Sequence, residues 1–284
     1  MPSLPETPLS QELAIRLLAF LGVFAAVAAW ELRAPRRRQA FRRLDRWPGN
    51  LGIVAVGALL VRLVFPTTAV GVALLAEAKG WGVFNAAITP PPLLAIVLSV
   101  VALDLAIYFQ HVLSHAVPAL WRLHRMHHAD LDFDVTTGVR FHPLEILLSM
   151  AVKLAVIAAL GTPALAVLIF EVLLNATSMF NHGNLRLPAR LDRALRWIVV
   201  TPDMHRVHHS ILRPETDSNF GFNLPWWDRL FGTYRAQPAA GHEGMTVGIE
   251  QFRTVRDLRL DRMLVQPWLG AASGYVTNQK EHLQ

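Results

Sequence analysis

Three short stretches of this chain gather imidazoles. HVLSH carries His111 and His115, WRLHRMHHAD carries His124, His127 and His128, and PDMHRVHHSI repeats that word with His205, His208 and His209. On a helix, residues three and four apart share a face. Three imidazoles crowded on one face repel if protonated, and bury unpartnered nitrogens if neutral. A metal ion resolves both difficulties, because neutral imidazole is a good ligand for Fe, Zn or Cu. His182, in FNHGN, and His142, in RFHPLE, stand alone in sequence. A lone histidine is more often a satisfied polar residue than a ligand, but His182 returns to the same end of the chain's apolar segments as the clusters. Nine imidazoles exceed the roughly four to six ligands of one ion. Two ions share them, with the repeated word supplying each side and His128 and His209 expected to face the second ion.

Several chemistries are excluded. Cysteine is absent, which removes disulfides, thiolate zinc, iron–sulfur clusters and thiol nucleophiles. No glutamate has a histidine three positions on, so the Glu-x-x-His pattern of soluble di-iron bundles is missing. There is no H-E-x-x-H, no G-x-G-x-x-G and no Walker A sequence, hence no zinc-protease signature and no built-in nucleotide site. An all-nitrogen, two-metal site beside lipid suits iron and dioxygen chemistry on apolar substrates.

The elements that must position these residues are apolar. The 284 residues are 53% hydrophobic and 17% charged, with a mean hydropathy of +0.34, which points to a membrane protein. Residues 13–30, 51–78, 92–110 and 144–180 read as apolar segments, the second interrupted by Arg62 and Pro66. Gly161, Thr162 and Pro163 split the last into a helical hairpin. Residues 33–46 hold seven arginines. Flanked by apolar segments, they read as a cytoplasmic loop facing anionic lipid, not as a nucleic-acid site. The N-terminus is then outside, and alternation brings every histidine cluster to the cytoplasmic face. Residues 186–200 predict an amphipathic helix with Pro188 in its first turn, lying on the membrane or packed on the protein. Arg62, Lys153 and Glu171 interrupt apolar stretches and are expected to pair, snorkel or touch a headgroup.

These words resemble the histidine boxes of the fatty acid hydroxylase superfamily, also called the sterol desaturase family: H-x-x-x-H, H-x-x-H-H and H-x-x-H-H. The surroundings are similar as well, with Asp104 and Tyr108 before the first box, then RFHPLE, FNHGN and DSNFGFNLPWWDRLFGTY. The likeness covers roughly residues 50–265. It implies an all-α integral membrane fold of about four to five membrane-embedded helices, including a helical hairpin, with a cytoplasmic histidine-rich cap holding a dimetal site. It implies two non-haem irons, for which zinc can substitute on purification, O2 as co-substrate and an external reductant. The substrate would be a fatty acyl chain, sterol, carotenoid or alkyl ether. The eight box histidines and His182 are the implied catalytic ligands, with His142 a tenth ligand or a partner orienting one. Asp104, Glu145, Asp217, Asn219 and Asp228 are the implied hydrogen-bond partners behind the ligands, Asp104 on an imidazole. Asp217, Asn219 and Asp228 read equally well as loop caps and surface ion pairs.

The resemblance divides the chain into an anchor and arginine-rich loop (1–49), a catalytic domain (50–265) and a tail (266–284). A first box with three intervening residues favours the hydroxylase and sterol branch over acyl-CoA desaturases. The chain is too short for a fused cytochrome b5 domain, so a separate ferredoxin or cytochrome with its reductase is expected, docked on arginines of 186–200 or at Arg253, Arg256 and Arg259. The bacterial inner membrane is the expected location. A desaturase of the same family is the near alternative. A metal transporter is the distant one, since transport favours ligands near the bilayer midplane.

Overall fold

In a computed structural model, which describes residues 11–270, the chain is helical, and among the described residues it has no strand, only isolated bridges at Pro35–Leu185 and Ser210–Val247. The helices are α1 (Glu12–Arg33), α2 (Arg43–Val64), α3 (Ala69–Lys79), the single turn α4 (Val83–Ala86), α5 (Pro92–Ala116), α6 (Pro118–His128), α7 (Pro143–Leu160), α8 (Ala164–Asn181), α9 (Ala189–Leu195) and α10 (Pro202–His208). Shorter turns follow. Five segments are long and apolar enough to cross a membrane: Glu12–Arg33, Arg43–Ala86, Pro92–Ala116, Pro143–Leu160 and Ala164–Asn181.

Local sequence explains the breaks. Pro66 lies between α2 and α3, where a helix would lose a backbone donor and clash with its own preceding turn. Thr68 restarts the chain by accepting from the Gly71 amide, the usual N-cap bond. Gly161 ends α7 at a φ of +71°, a left-handed conformation natural to glycine. The predicted hairpin turn is therefore present. α5, α6, α7 and α10 each have proline in the first turn, where its missing N–H leaves no helical bond unmade. The expected helix over 186–200 is shorter, limited to Ala189–Leu195, with Pro188 as its N-cap rather than in its first turn. Leu191, Trp197 and Ile198 beyond and within it are exposed.

The apolar core joins α3, α5, α7 and α8 through Val70, Ala73, Leu103, Ile157, Val167 and Phe170. At one end of this bundle the polar chemistry collects. Arg46 of α2 is fully buried and holds Asp130 with Nε and Nη2 at 2.8 Å each, and Asp134 with Nη1 at 2.5 Å. Asn50, one turn on, donates to Asp130 and Thr136 and accepts from Arg140. Glu31, at the end of α1, accepts from the amides of Val135 and Asn184. The anchor, the arginine-rich loop and the segment after α6 are thus one structure, and α2 runs through the expected boundary at residue 49. Residues 266–269 also dock, with Arg125 donating to the Gln266 carbonyl at 2.7 Å. The rest of the expected tail, 271–284, lies outside the described residues.

Lys153 and Glu171 pair across the hairpin, and Arg16 of α1 joins them. Arg62 is exposed.

Removing Arg46 strands two buried carboxylates. Arg46→Met is expected to cost about 3–5 kcal/mol, read as a lowered unfolding midpoint of the detergent-solubilised protein. An unchanged midpoint would show that the cluster does not hold this end of the bundle together.

Candidate metal centre

The ends of four helices converge on the histidines. His111 and His115 sit on the last turns of α5, His124, His127 and His128 on α6, His182 just after α8, and His205, His208 and His209 on or next to α10. All nine are buried. They form two groups that could each hold a metal ion: His111, His115, His124, His128 and His208 in one, His127, His182, His205 and His209 in the other, with ligand atoms within 4.8 Å of one another in each. Ligands on opposite sides of an ion at bond lengths of about 2.0–2.1 Å fit such a spread.

Each repeated word is divided between the groups, instead of forming one side. The i and i+4 histidines stay together and the i+3 histidine crosses. His127 and His208 therefore reach the other group, not His128 and His209 as the spacing alone suggests.

The hydrogen bonds fix which nitrogens face inward. His111 Nδ1 donates to the Phe220 carbonyl at 2.7 Å, His127 Nδ1 to Arg140 at 3.0 Å, His182 Nδ1 to Ser178 at 2.8 Å and His208 Nδ1 to Ser218 at 2.8 Å. His124 Nδ1 meets the Glu145 carboxylate at 2.6 Å. An imidazole that donates through Nδ1 has a bare lone pair on Nε2. Yet His111 Nε2 lies 3.1 Å from His124 Nε2, and His127 Nε2 lies 3.1 Å from His182 Nε2. Two acceptors face each other in each group. In the His127–His182 pair only protonation or a cation relieves that repulsion, and protonation is opposed. Burial pushes His182 and His208 down to about 3, and burial together with neighbouring imidazoles holds His127, His128, His205 and His209 well below the ordinary range. His115 and His208 have further buried ring nitrogens without a partner among the described residues. The donor set fits metal ions, and its nitrogen-only character suits iron, zinc or copper.

The remaining predicted residues fall elsewhere. His142 is not among the nine. Its Nδ1 accepts from the Leu144 amide as the N-cap of α7, and its Nε2 donates to the Leu264 carbonyl. Asp104 touches no imidazole. It accepts from the Asn223 and Leu224 amides and from Trp227 Nε1. Asp228 accepts from the Phe220 and Gly221 amides and so shapes the strip whose Phe220 carbonyl holds His111. Asn219, at φ +51°, pins the Arg235 and Met204 backbone. Asp217 approaches His115 Nδ1 at 3.5 Å while paired to Arg213. The carbonyl acceptors carry no side-chain signal. Gly138 does leave a trace: a Cβ there would lie 2.4 Å from the Ser178 carbonyl oxygen that holds His182.

Residues 96–233, which contain both repeated words and all nine clustered histidines, match the fatty acid hydroxylase family. An ornithine lipid hydroxylase, OlsE of Rhizobium tropici, is 31% identical over 148 residues, 52% of this chain and 44% of that protein. The alkylglycerol monooxygenases of Xenopus tropicalis and Homo sapiens are each 28% identical, over 55% and 54% of this chain and 34% and 33% of their own lengths. The chain thus matches less than half the length of these relatives. No solved structure matches it.

Against the wall of the histidine site lies a largely apolar cavity of about 270 Å³, lined by residues including Phe20, Val54, Ile107, His111, His124 and Phe222.

Glu145 fixes the orientation of His124, and such partners typically matter 10–100-fold to metal affinity. Glu145→Gln is expected to weaken metal retention by about that factor in chelator competition, whereas His142→Ala leaves metal content unchanged. Loss of a metal in the His142 variant would return that residue to the ligand set.

Proposed function

We propose that this protein is a membrane-bound non-haem di-iron oxygenase that hydroxylates an unactivated C–H bond of a lipid. The carrying observation is the double pair of facing Nε2 lone pairs in a nitrogen-only site that opens onto an apolar cavity. The relatives are named for hydroxylation of an ornithine lipid and oxygenation of alkylglycerols, which supports a lipid with a polar head as the substrate class. His111, His115, His124, His128 and His208 would hold one iron, and His127, His182, His205 and His209 the other. Iron so held supplies dioxygen activation, one oxygen atom entering the C–H bond and the other leaving as water with two electrons from a separate donor. The residues of the chain do the rest. The carbonyls of Phe220, Arg140, Ser178 and Ser218 keep each Nδ1–H turned away, so that Nε2 faces inward. Ile107, Phe141 and Phe222 line the cavity beside the histidines and exclude water, which protects a reactive centre from side reactions.

The donor would be a ferredoxin or cytochrome with its reductase, attracted to the exposed arginines of the histidine-bearing end, among them Arg38, Arg42, Arg190 and Arg193. The arginine-rich connection supports a cytoplasmic position for that end with the N-terminus outside, and the proposed location is a bacterial inner membrane. Desaturation is the second reading, because both reactions begin with hydrogen abstraction.

Purified from iron-replete cells, the protein is expected to hold about two irons per chain, and His127→Ala and His208→Ala to lose turnover while still inserting. Product mass separates the readings: gain of one oxygen supports hydroxylation, and loss of two hydrogens supports desaturation. Retained turnover in either variant removes the ligand assignment. Since the chain lacks cysteine, Arg190→Cys gives a single labelling site. Labelling of intact cells by an impermeant maleimide would reverse the proposed orientation.

A further inference from the structure

The cavity is not apolar throughout. Gln110, Ser114, Glu145, Ser149, Asn175 and Ser178 also line it. Polar groups in a membrane-embedded cavity are unfavourable unless partnered. Ser114, Asn175 and Ser178 each donate to a backbone carbonyl. Glu145 is committed to His124 through Oε1, although its Oε2 has no donor among the described residues. Gln110 is not committed to an imidazole in this way. Its carboxamide oxygen is buried, and among the described residues nothing donates to it. An acceptor buried without a donor opposes folding, and a ligand that brings the donor relieves it.

Position adds meaning to this orphan. Gln110 directly precedes His111 on α5, and both line the same cavity with His124. The side chain is short, so whatever it binds is held close to the histidines. Because Gln110 lines the cavity, a change of side-chain torsion is what would bring that oxygen to a ligand there.

Resting on the oxygenase reading above, we infer that Gln110 is a specificity residue. It accepts a hydrogen bond from an O–H or N–H of the lipid. The carbon presented to the histidines then lies a few bonds from that donor, instead of in the middle of the apolar chain. Phe20, Ile53, Val54 and Ile146, on the cavity's apolar walls, receive the hydrocarbon. Substrates of this kind are amphiphiles with a free hydroxyl, amide or amine group. Fully apolar chains, and chains whose donor is capped, fit the volume but leave Gln110 unsatisfied.

The test reads binding rather than turnover. Zinc-loaded full-length protein in detergent is titrated with 1-dodecanol and with its methyl ether, which keeps the chain and removes the donor. Affinities come from the shift of the unfolding midpoint. The alcohol is expected to bind about tenfold more tightly, the worth of one well-made hydrogen bond. Gln110→Leu should bring the two ligands within about threefold of each other, and Gln110→Glu, which keeps an acceptor, should restore the preference. Zinc content measured alongside confirms that His111 is undisturbed. Equal binding by the unaltered protein, or a preference that survives in Gln110→Leu, overturns the proposal. Neither result bears on dioxygen chemistry. Conversely, an iron-loaded protein that oxygenates nothing refutes the oxygenase reading while the binding contrast still stands.

Discussion

Nine imidazoles are buried together, and in each group two of them point bare lone pairs at one another across 3.1 Å. That arrangement does not persist unaided. Neutral nitrogens repel at that distance, and at His127 and His182 burial opposes the proton that would turn one into a donor. The lone pairs are aimed because each Nδ1–H is already committed, mostly to a backbone carbonyl. Carbonyls are set by chain path rather than by rotamer, so the end of α8 that carries Ser178 and the loops that carry Arg140, Ser218 and Phe220 must each follow one course. Much of the polar residue content at this end of the molecule serves that requirement.

Asp228 is an example. It touches no histidine, yet by collecting the Phe220 and Gly221 amides and the Thr233 hydroxyl it fixes the strip whose carbonyl orients His111. Asp104 binds the next part of the same strip from α5. On the other side, Arg140 donates to the Met126 carbonyl and to Asn50, and its own carbonyl holds His127. Asn50 belongs to the Arg46–Asp130 cluster. A buried ion pair is weak evidence for net stability, because desolvation offsets most of the attraction. Its effect here is on register: α2, the end of α6 and the segment that supplies the Arg140 carbonyl are locked to one another.

The histidine words, the five apolar segments and the hairpin at Gly161 were all legible in the sequence, because each is a local pattern. The division of the words was not. In a helix with 3.6 residues per turn, i and i+4 differ by about 40° in azimuth, while i+3 lies about 60° to the other side of i. His124 and His128 therefore stay together, and His127 turns toward the neighbouring group. Which neighbour it meets depends on α8 and α10, more than fifty residues away in the case of His182. Asp104 and His142 were misplaced for a related reason. A carboxylate or an imidazole beside a histidine box is equally suited to hold a ligand or to hold backbone. The decision rests on where residues 223–227 and 264 arrive. Glu145, by contrast, is one turn into a helix that must begin beside α6, and it meets His124 directly.

The topology of the bundle also explains why the site lies at one end of it. α5 finishes at Ala116, just past His115, α7 starts after His142 and α8 finishes at Asn181, beside His182, so an antiparallel hairpin following α5 and α6 returns its open end to the first box. α1 finishes and α2 starts at that same end, as the contacts of Glu31 with Val135 and of Arg46 with Asp130 require. The arginine-rich connection between α1 and α2 therefore shares a face with the histidines by direct contact: the Arg37 amide donates to Asn184, and those of Ala40 and Phe41 to Asp132. Any charge rule that assigns a side to the arginines assigns the same side to the metal centre. The cavity reaches the same histidines from the apolar side of the bundle, where Ile107, Phe141 and Phe222 line it beside His111 and His124.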